Sequence, residues 1–391
     1  MKKIIGIILI LVSIVIFFLV IYLNSHFSKV NRTFSPYTML TSTWEKYKQK
    51  FINPDGRVID FSQNNITTSE GQSYAMLRAV WSDDRETFDK VWKFTDHNLK
   101  RKTDNLYGWR WGKLSGNTYG FLKDGGDNSA SDADSDIALA LILAAKRWRK
   151  DEYIEPARKI LVDMWKLETG VSHEKRYLTA GNWADRGTEL IINPSYFAPY
   201  AWRMFATVDK EHDWNSLIDP AYALLTDVGT NPLDKTSAVG LPANWVAIDK
   251  ETGALSAPTL SNLNTDYSYD AVRTPWRIVL DYNWNQEPKA KNYLVNSYRF
   301  LMDEYKTKDK LAATYSHDGK ETSQIEGPTM YSTIVGYLQI VDPDVAKKMY
   351  EEKIIKLYSN ADDSFDSKLP YYEQNWLWFG LAIYNGQLRK Y

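Results

Sequence analysis

The sequence predicts an all-α fold behind one long apolar segment at the N-terminus. Apolar residues recur at i, i+3 and i+4 spacing through most of the chain, which places them on one face of an α-helix. Strand-like stretches are few and short, at 57–61 and 118–122. No Pro/Gly/Ser-rich tract, charge block or change in composition divides the chain after residue 36, so we expect one domain at 36–391.

The N-terminal segment predicts a membrane anchor. Lys2 and Lys3 precede an apolar run at 4–23, which is about as long as a helix must be to cross the hydrocarbon core of a membrane. A secretory signal peptide has a shorter apolar region and a small-residue cleavage site, and no such site follows this run. We therefore predict a signal-anchor transmembrane helix at 1–23 and a polar linker at 24–35.

The charges beside the apolar run predict its orientation. The two N-terminal lysines favour a cytoplasmic N-terminus, which makes the chain a single-pass protein with its domain outside the cell. Lys29 and Arg32 on the other side of the run weaken this bias. The alternative is a signal peptide that is cleaved, which would release a secreted protein.

The composition excludes several classes of function. With 48 basic and 49 acidic residues the net charge is −1, so no basic stripe is expected for a phosphate backbone and nucleic acid is not an expected partner. The absence of cysteine excludes disulfides, Cys-ligated zinc, iron–sulfur clusters and cysteine nucleophiles. The five histidines are scattered without an HExxH pair, so we expect neither a metal nor a cofactor. The 15 Trp and 26 Tyr residues fit core packing, and they also fit stacking on the flat faces of sugar rings.

Twelve segments carry the helical periodicity. Long loops at 101–130 and 229–267 interrupt them, and long ordered loops inside one domain often carry function. The predicted helices are 38–50, 70–80, 86–98, 137–149, 153–167, 194–205, 214–225, 269–284, 290–304, 330–341, 345–358 and 373–384.

Glu70 lies at a predicted helix start, after two residues that can cap the helix. The helix dipole favours a carboxylate at this place, which is a purely structural explanation. However, Gly71 and Ser73 lower the helix propensity of the first turn and leave room for another molecule to approach the backbone. Glu70 is therefore a candidate functional residue.

Three carboxylates, Asp132, Asp134 and Asp136, alternate where the next helix begins. Capping and compensation of the helix dipole would explain them. Alternating acids also occur in calcium loops, but an EF-hand needs Gly at its sixth position and Glu at its twelfth, and this chain has Ile137 and Leu143 there. We therefore do not expect a metal at this segment.

Asp270 and Arg273 are three residues apart, so on a helix they share a face. A surface ion pair would explain this spacing. The neighbouring residues are aromatic rather than solvating, among them Tyr269 and Trp276, which favours a pocket wall. The segment 193–196 has a proline near a helix start, and capping alone would explain it.

Trp109 and Trp111 alternate in a loop rich in Gly and Trp. Residues two apart in an extended chain point to the same side. Both rings are therefore expected to face either a substrate or the core together, and we predict that at least one of them forms a stacking platform.

Four of these segments together resemble glycoside hydrolase family 8. The stretch 130–148 is similar to that family's signature over its full length, from A-S-D-A-D to the closing Trp. The segments 69–74, 193–196 and 269–273 resemble further family motifs and occur in the same order. The resemblance implies an (α/α)6 barrel of six helical hairpins, and an enzyme that cuts a β-linked polysaccharide with inversion at the anomeric carbon.

The resemblance also implies roles for individual residues. Glu70 corresponds to the general acid, and Asp270 to the base that activates water. Tyr196 is similar to the tyrosine that helps to hold this water, and Arg273 to the arginine that orients the site. The remaining substrate-binding candidates are Asp132, which matches the aspartate that binds the sugar at the cleavage point, and Trp109, Trp111 and Tyr269.

A general acid at a helix N-terminus faces conflicting demands. The helix dipole favours the charged form of Glu70, whereas a general acid must keep its proton near neutral pH. Burial and a nearby carboxylate would raise the pKa of Glu70 again. We expect Asp132 to supply part of this effect.

The expected function is that of a membrane-anchored endo-glycosidase outside the cell. The resemblance implies cellulose, mixed-linkage β-glucan, xylan, chitosan or an exopolysaccharide as substrate. An anchor suits an enzyme that stays beside a polysaccharide synthase complex, which is a candidate partner, whereas a free cellulase gains from diffusing. The alternatives are a catalytically weak glycan-binding component of an export system and a polysaccharide lyase on a similar barrel.

Overall fold

The structure is a computed structural model that describes residues 14–19 and 35–391. Within 35–391 it contains thirteen α-helices, which confirms the predicted all-α class. The helices are α1 Pro36–Phe51, α2 Ser69–Trp81, α3 Arg85–Asn98, α4 Ser131–Trp148, α5 Ile154–Leu167, α6 Pro199–Val208, α7 Ile218–Thr230, α8 Thr274–Asn285, α9 Pro288–Asn296, α10 Arg299–Lys308, α11 Pro328–Val341, α12 Pro343–Met349 and α13 Tyr371–Tyr384.

Six of these helices form an inner ring. Helix α2 contacts α4, and the contacts continue through α6, α8, α11 and α13 back to α2. The inner helices are buried on nearly all sides, as α4 shows with an unbroken buried run from Ser131 to Ala145. Outer helices such as α3 and α5 bury only one apolar face. Each inner helix also contacts an outer helix or turn that follows it or, for α13, helix α1. This arrangement confirms the (α/α)6 barrel.

Short strands build the loops at one end of the barrel. They form four small antiparallel sheets, with strand orders β1-β2-β3, β4-β5, β6-β7-β8 and β9-β10. The strands are β1 Thr67–Thr68, β2 Arg110–Lys113, β3 Tyr119–Phe121, β4 Thr169–Ser172, β5 Lys175–Leu178, β6 Glu189–Ile192, β7 Val246–Asp249, β8 Leu255–Ser256, β9 Tyr358–Ser359 and β10 Ser364–Phe365. Because β1 leads directly into α2, the first sheet fixes the place where that helix starts.

The helix starts explain how polar side chains reach this end of the barrel. Thr68 caps α2, because its Oγ1 accepts the N–H of Gly71 at 3.0 Å, and this places Glu70 in the first turn. Helix α4 begins at Ser131, six residues before the predicted start at 137. Asp132, Asp134 and Asp136 are therefore buried residues of the helix and not solvent-facing residues before it.

Two other predicted helices begin later than expected, each after a 3-10 turn. The segment 194–205 is a 3-10 turn, Pro194–Tyr196, followed by α6, since Pro199 disfavours the helical conformation of the residue before it. The segment 269–284 likewise starts as a 3-10 turn, Ala271–Arg273, before α8. Both turns lie at the same end of the barrel as Glu70.

Two further predictions needed correction. The helix predicted at 290–304 is broken into α9 and α10, because Tyr298 adopts the left-handed conformation with φ 60°. The strand predicted at 57–61 forms only isolated bridges at Val58 and Asp60. The strand predicted at 118–122 is confirmed as β3, one residue shorter at each end.

The predicted anchor at 1–23 and linker at 24–35 lie almost entirely outside the described residues. The exceptions are residues 14–19, which are helical with exposed apolar side chains, and Ser35, which caps α1. Within the described part of the chain, no helix is both long enough and apolar enough to cross a membrane.

Candidate active site

A cavity of about 430 Å³ opens at the end of the barrel where α2 and α4 begin. Its wall combines carboxylates with aromatic rings. Residues that line it include Glu70, Asp132, Asp270, Tyr196, Tyr371, Trp109, Trp183 and Trp245. Five of these eight were predicted from the sequence as site residues.

Arg273 joins the three carboxylates of the cavity. Its Nη1 donates to Glu70 Oε2 at 2.8 Å and to Asp132 Oδ2 at 2.9 Å. Its Nη2 donates to Asp270 Oδ1 at 2.6 Å. The guanidinium is buried, so one desolvated cation faces three carboxyl groups. Full ionisation of all three would leave the cluster with an uncompensated negative charge.

Glu70 has a raised pKa in this cluster. Burial raises the pKa of Glu70 to about 7, with Asp132 and Asp270 adding to the rise, while Arg273 and the hydroxyl of Tyr371 oppose it. Tyr371 donates to Glu70 Oε1 at 2.9 Å, on the oxygen that Arg273 does not contact. Glu70 can therefore hold a proton near neutral pH in spite of its place in a helix N-terminal turn. Asp132 contributes to this shift in the expected direction.

Asp270 occupies a more open position. About a third of its side chain is exposed, compared with 4% for Asp132. Burial raises the pKa of Asp270 above the ordinary aspartate value, and Arg273 opposes this rise by favouring the ionised form. An ionised carboxylate that reaches the cavity can accept a proton from water.

The turn at Pro194–Tyr196 supports Arg273 from the other side. Ser195 Oγ accepts from Arg273 Nη2 at 3.0 Å and donates to Asn193 Oδ1 at 2.7 Å. The Tyr196 ring lies 5.2 Å from the guanidinium and packs edge-on against Trp245. The predicted motif at 193–196 thus positions the arginine, with the Tyr196 side chain in the cavity wall.

The two alternating tryptophans do not share an environment, contrary to the expectation. Trp109 lies in the cavity wall and is 37% exposed. Trp111 belongs to β2 and is buried, with its ring edge-on to Phe94 and stacked on Tyr119. Residue 109 precedes the strand, so the alternation rule does not extend to it. Trp111 is therefore a core residue and does not line the cavity, so its prediction as a substrate contact is wrong.

Tyr269 lies beside the cavity and not in its wall. The residue is 51% exposed, and its ring packs edge-on against Tyr372 at 6.2 Å. The Tyr372 hydroxyl donates to the Tyr269 carbonyl oxygen, which fixes the backbone next to Asp270. Tyr269 stays a predicted substrate contact at the edge of the cleft.

Sequence reasoning missed several residues of the site. Tyr371 approaches Glu70 from a position 301 residues away in the chain, and no local pattern marks it. Trp183 and Trp245 come from two different loops and meet at 6.2 Å. Their only sequence signal is the general excess of aromatic residues. Among the described residues, no cluster of His, Asp and Glu is arranged to hold a metal ion.

A helical barrel with a carboxylic acid, a carboxylate and aromatic rings in one open cavity is typical of enzymes that act on polysaccharides. The comparison with known families identifies the class, because the model of glycosyl hydrolases family 8 matches residues 21–380. The chain belongs to this family, and the predicted resemblance is confirmed.

Individual relatives agree with this assignment. Endoglucanase A of Acetivibrio thermocellus is 30% identical over 333 residues, which are 81% of this chain and 64% of that protein. An endoglucanase of Cellulomonas uda is 33% identical over 241 residues, which are 61% of this chain and 63% of that protein. The matches thus span less than two thirds of the length of these relatives. The crystal structure of an endo-1,4-D-glucanase from Vibrio fischeri is 26% identical, with a TM-score of 0.72 over 88% of this chain and 94% of that chain.

Proposed function

We propose that this chain is an inverting endo-β-1,4-glucanase. The observation that carries the proposal is the cluster of Glu70, Asp132 and Asp270 around Arg273 in an open cavity lined with tryptophan. It contains an acid that keeps its proton, a carboxylate within reach of water, and flat rings on which sugars can stack.

Glu70 acts as the general acid. Its pKa of about 7 keeps part of the population protonated at neutral pH, so it can donate a proton to the oxygen of the bond that breaks. Arg273 contacts Oε2 and cannot accept a proton, which leaves Oε1 as the oxygen that carries it. The departing sugar takes this proton, and Glu70 is left as a carboxylate.

Asp270 acts as the base. Its partly exposed carboxylate takes a proton from a water molecule, and the resulting hydroxide attacks the anomeric carbon from the face opposite the leaving group. The Tyr196 side chain lines the same cavity and helps to hold this water. Attack on the opposite face inverts the configuration of that carbon.

Arg273 and Asp132 hold this arrangement together. Glu70 and Asp270 contact different nitrogens of the guanidinium, which fixes the two carboxyl groups relative to each other. Asp132 is fixed by Arg273 in the cavity wall, where its carboxylate binds sugar hydroxyls.

The substrate follows from the cavity and the relatives. An open cavity with Trp109, Trp183 and Trp245 in its wall suits a polymer that passes through it, and therefore cleavage inside the chain. The relatives described above are endoglucanases by name, which favours a β-1,4-glucan over xylan or chitosan.

We also propose that the predicted N-terminal anchor holds the enzyme at the outer face of the cell membrane. There it would trim or release an exopolysaccharide of the cellulose type beside the synthase that makes it. The apolar run after Lys2 and Lys3 supports this part of the proposal. If the mature protein were found in the medium with its N-terminus trimmed past Leu23, the anchoring would be disproved.

The test is release of reducing ends by the purified chain from carboxymethylcellulose, mixed-linkage β-glucan, xylan, chitosan and a crude exopolysaccharide. We expect cleavage of the β-1,4-glucan, loss of activity in Glu70→Gln, and a product that first appears as the α-anomer by proton NMR. Activity restricted to another polymer would change the substrate, and a β-anomer product would exclude inversion. Binding without cleavage of any polymer would favour the glycan-binding alternative.

A further inference from the structure

A second pair of acidic side chains lies behind the cavity wall and takes no part in the mechanism above. Asp134 belongs to the first turns of α4, and Glu168 follows the last residue of α5. Both are fully buried. Each carboxyl group lies close enough to the other to change its pKa through a hydrogen bond.

Each carboxyl group has one oxygen held by the protein and one oxygen without another partner. Asp134 Oδ1 accepts the N–H of Tyr107 at 3.0 Å, and Glu168 Oε1 accepts the hydroxyl of Ser129 at 2.6 Å. Asp134 Oδ2 and Glu168 Oε2 are buried, and no described residue donates a hydrogen bond to them. Within the described residues no arginine, lysine or histidine forms an ion pair with either group. Two ionised carboxylates in direct contact without a cation would repel each other strongly in this environment.

We propose that Asp134 and Glu168 share one proton between these two oxygens, and that the pair positions Ser129 and, through Asn182, Trp183 in the cavity wall. A shared proton satisfies both buried oxygens with a single hydrogen bond and leaves one negative charge on the pair. The groups that face it from neighbouring elements are Asp104 and Asp132, both acidic, and the hydroxyl of Ser129, which donates to it.

The contacts of Ser129 connect the pair to the cavity. Its hydroxyl donates to Glu168, and the same oxygen accepts the N–H of Asn182 at 3.0 Å. Its own N–H donates to Asn182 Oδ1 at 2.8 Å. The two loops are also in backbone contact, since a Cβ added at Gly181 would lie 2.2 Å from the carbonyl oxygen of Ser129. Trp183 comes next in the chain, and both Ser129 and Trp183 line the cavity.

The electrostatics agree with this geometry. Burial raises the pKa of Glu168 to about 8, and burial together with Glu168 raises the pKa of Asp134 well above the ordinary value. A folded-state pKa above the unfolded value means that the folded state binds the proton more tightly. The stability provided by this proton is therefore complete below about pH 4 and is lost as the pH rises towards about 8.

The variant Glu168→Gln distinguishes a shared proton from a role of Glu168 in packing alone. The amide has nearly the same shape, donates permanently to Asp134 and still accepts from Ser129. In the full-length chain we expect the unfolding equilibrium constant of the wild type to rise relative to this variant by up to about tenfold per pH unit between pH 5 and pH 8. Taking the difference between the two proteins cancels the titration of Glu70 and Asp270. Asp163→Asn, on the same helix, is the control, because Asp163 binds Asn105 and does not touch the pair.

Parallel pH curves for the wild type and Glu168→Gln would overturn the shared proton. The positioning role, which rests on the proposed substrate cleft, is tested by Glu168→Ala and Ser129→Ala with a soluble cello-oligosaccharide. We expect KM to rise about tenfold with a much smaller change in kcat, and Glu168→Gln to restore KM. An unchanged KM in a folded Ser129→Ala protein would overturn the positioning role. If the wild type cleaved no polymer, the pH curves would still decide the shared proton, and the oligosaccharide Kd would replace KM.

Discussion

Two arginine–carboxylate contacts connect the same part of the inner ring, one helical turn apart. At the mouth of the cavity Arg273, just before α8, binds Asp132 of α4 at 2.9 Å. One turn deeper Arg277 of α8 binds both oxygens of Asp136 of α4 at 2.9 Å. The deeper pair is a balanced, bidentate ion pair, with the Tyr200 hydroxyl also bound to the arginine at 2.8 Å.

The two contacts differ in the balance of charge. Arg277 faces one carboxylate, whereas Arg273 faces three and opens to a cavity. The balanced pair joins the helices, whereas at the mouth burial raises the pKa of Glu70, and Asp132 and Asp270 add to this rise. A buried carboxyl group that shares one arginine with two further carboxyl groups is therefore what makes Glu70 a proton donor at the end of an otherwise ordinary helix contact.

The largest expected effect is a loss of kcat on replacing an aspartate by asparagine at the cavity mouth, compared with the same replacement one helical turn deeper. Asp270→Asn at the mouth removes the base and should lower kcat by roughly 10³-fold, within the range typical of a lost general base. Asp136→Asn one turn deeper should change kcat less than tenfold while it lowers the melting temperature. Steady-state kinetics and thermal denaturation of both variants measure this. Equal losses of kcat in both folded variants would contradict the assignment of a catalytic role to the mouth and a structural role to the deeper ion pair.

The Arg277–Asp136 ion pair should contribute more to the free energy of unfolding than the contacts at the cavity mouth. Arg277→Met leaves Asp136 buried without its cation, and breaking a buried pair in this way costs about 3–5 kcal/mol of unfolding free energy. Urea denaturation at pH 7 gives the value. A cost below about 1 kcal/mol would mean that Asp136 finds another partner or takes up a proton.

Asp132→Asn tests the charge excess at the mouth. Removing this negative charge favours the ionised form of Glu70, so the pKa of Glu70 should fall from about 7. The alkaline limb of the pH profile of kcat/KM should therefore move to lower pH. KM should also rise, because Asp132 is a proposed substrate contact. Asp136→Asn is the matched control and should leave the limb in place. A limb that does not move in Asp132→Asn would refute the contribution of Asp132.

Tyr371→Phe should shift the same limb in the opposite direction and by a smaller amount. The hydroxyl of Tyr371 donates to Glu70 and favours its ionised form, so its loss should raise the pKa of Glu70. The alkaline limb should move to higher pH. A shift to lower pH would show that the hydroxyl accepts the proton of Glu70 and does not donate its own.

The features that could be predicted from the sequence are those that depend on residues close together in the chain. The spacing of apolar residues predicted the inner and outer helices, and the segments around Glu70, Asp132 and Asp270 each carried a recognisable motif. These motifs lie at helix starts, and the barrel brings helix starts together at one end. The site followed from the motifs once the barrel was expected.

The remaining features depend on contacts between distant segments. Nothing near Tyr371 indicates that its hydroxyl reaches Glu70, and nothing near Glu168 indicates that it meets Asp134. The inward direction of Trp111 is set by its pairing with Thr67 in the small sheet, a register that alternation alone does not give. The break between α9 and α10 is due to the left-handed conformation of Tyr298, and the apolar spacing continues through this residue without indicating it.

The central claim is that Glu70 keeps its proton near neutral pH, and direct titration of its carboxyl group tests it. Carbon-13 NMR of the protein labelled at glutamate carboxyl carbons, compared with Glu70→Gln, identifies the Glu70 signal by its absence from the variant. We expect a midpoint near pH 7 for this signal. A midpoint near the ordinary glutamate value of about 4.3 would contradict it, because Glu70 would then be ionised and unable to donate a proton at neutral pH.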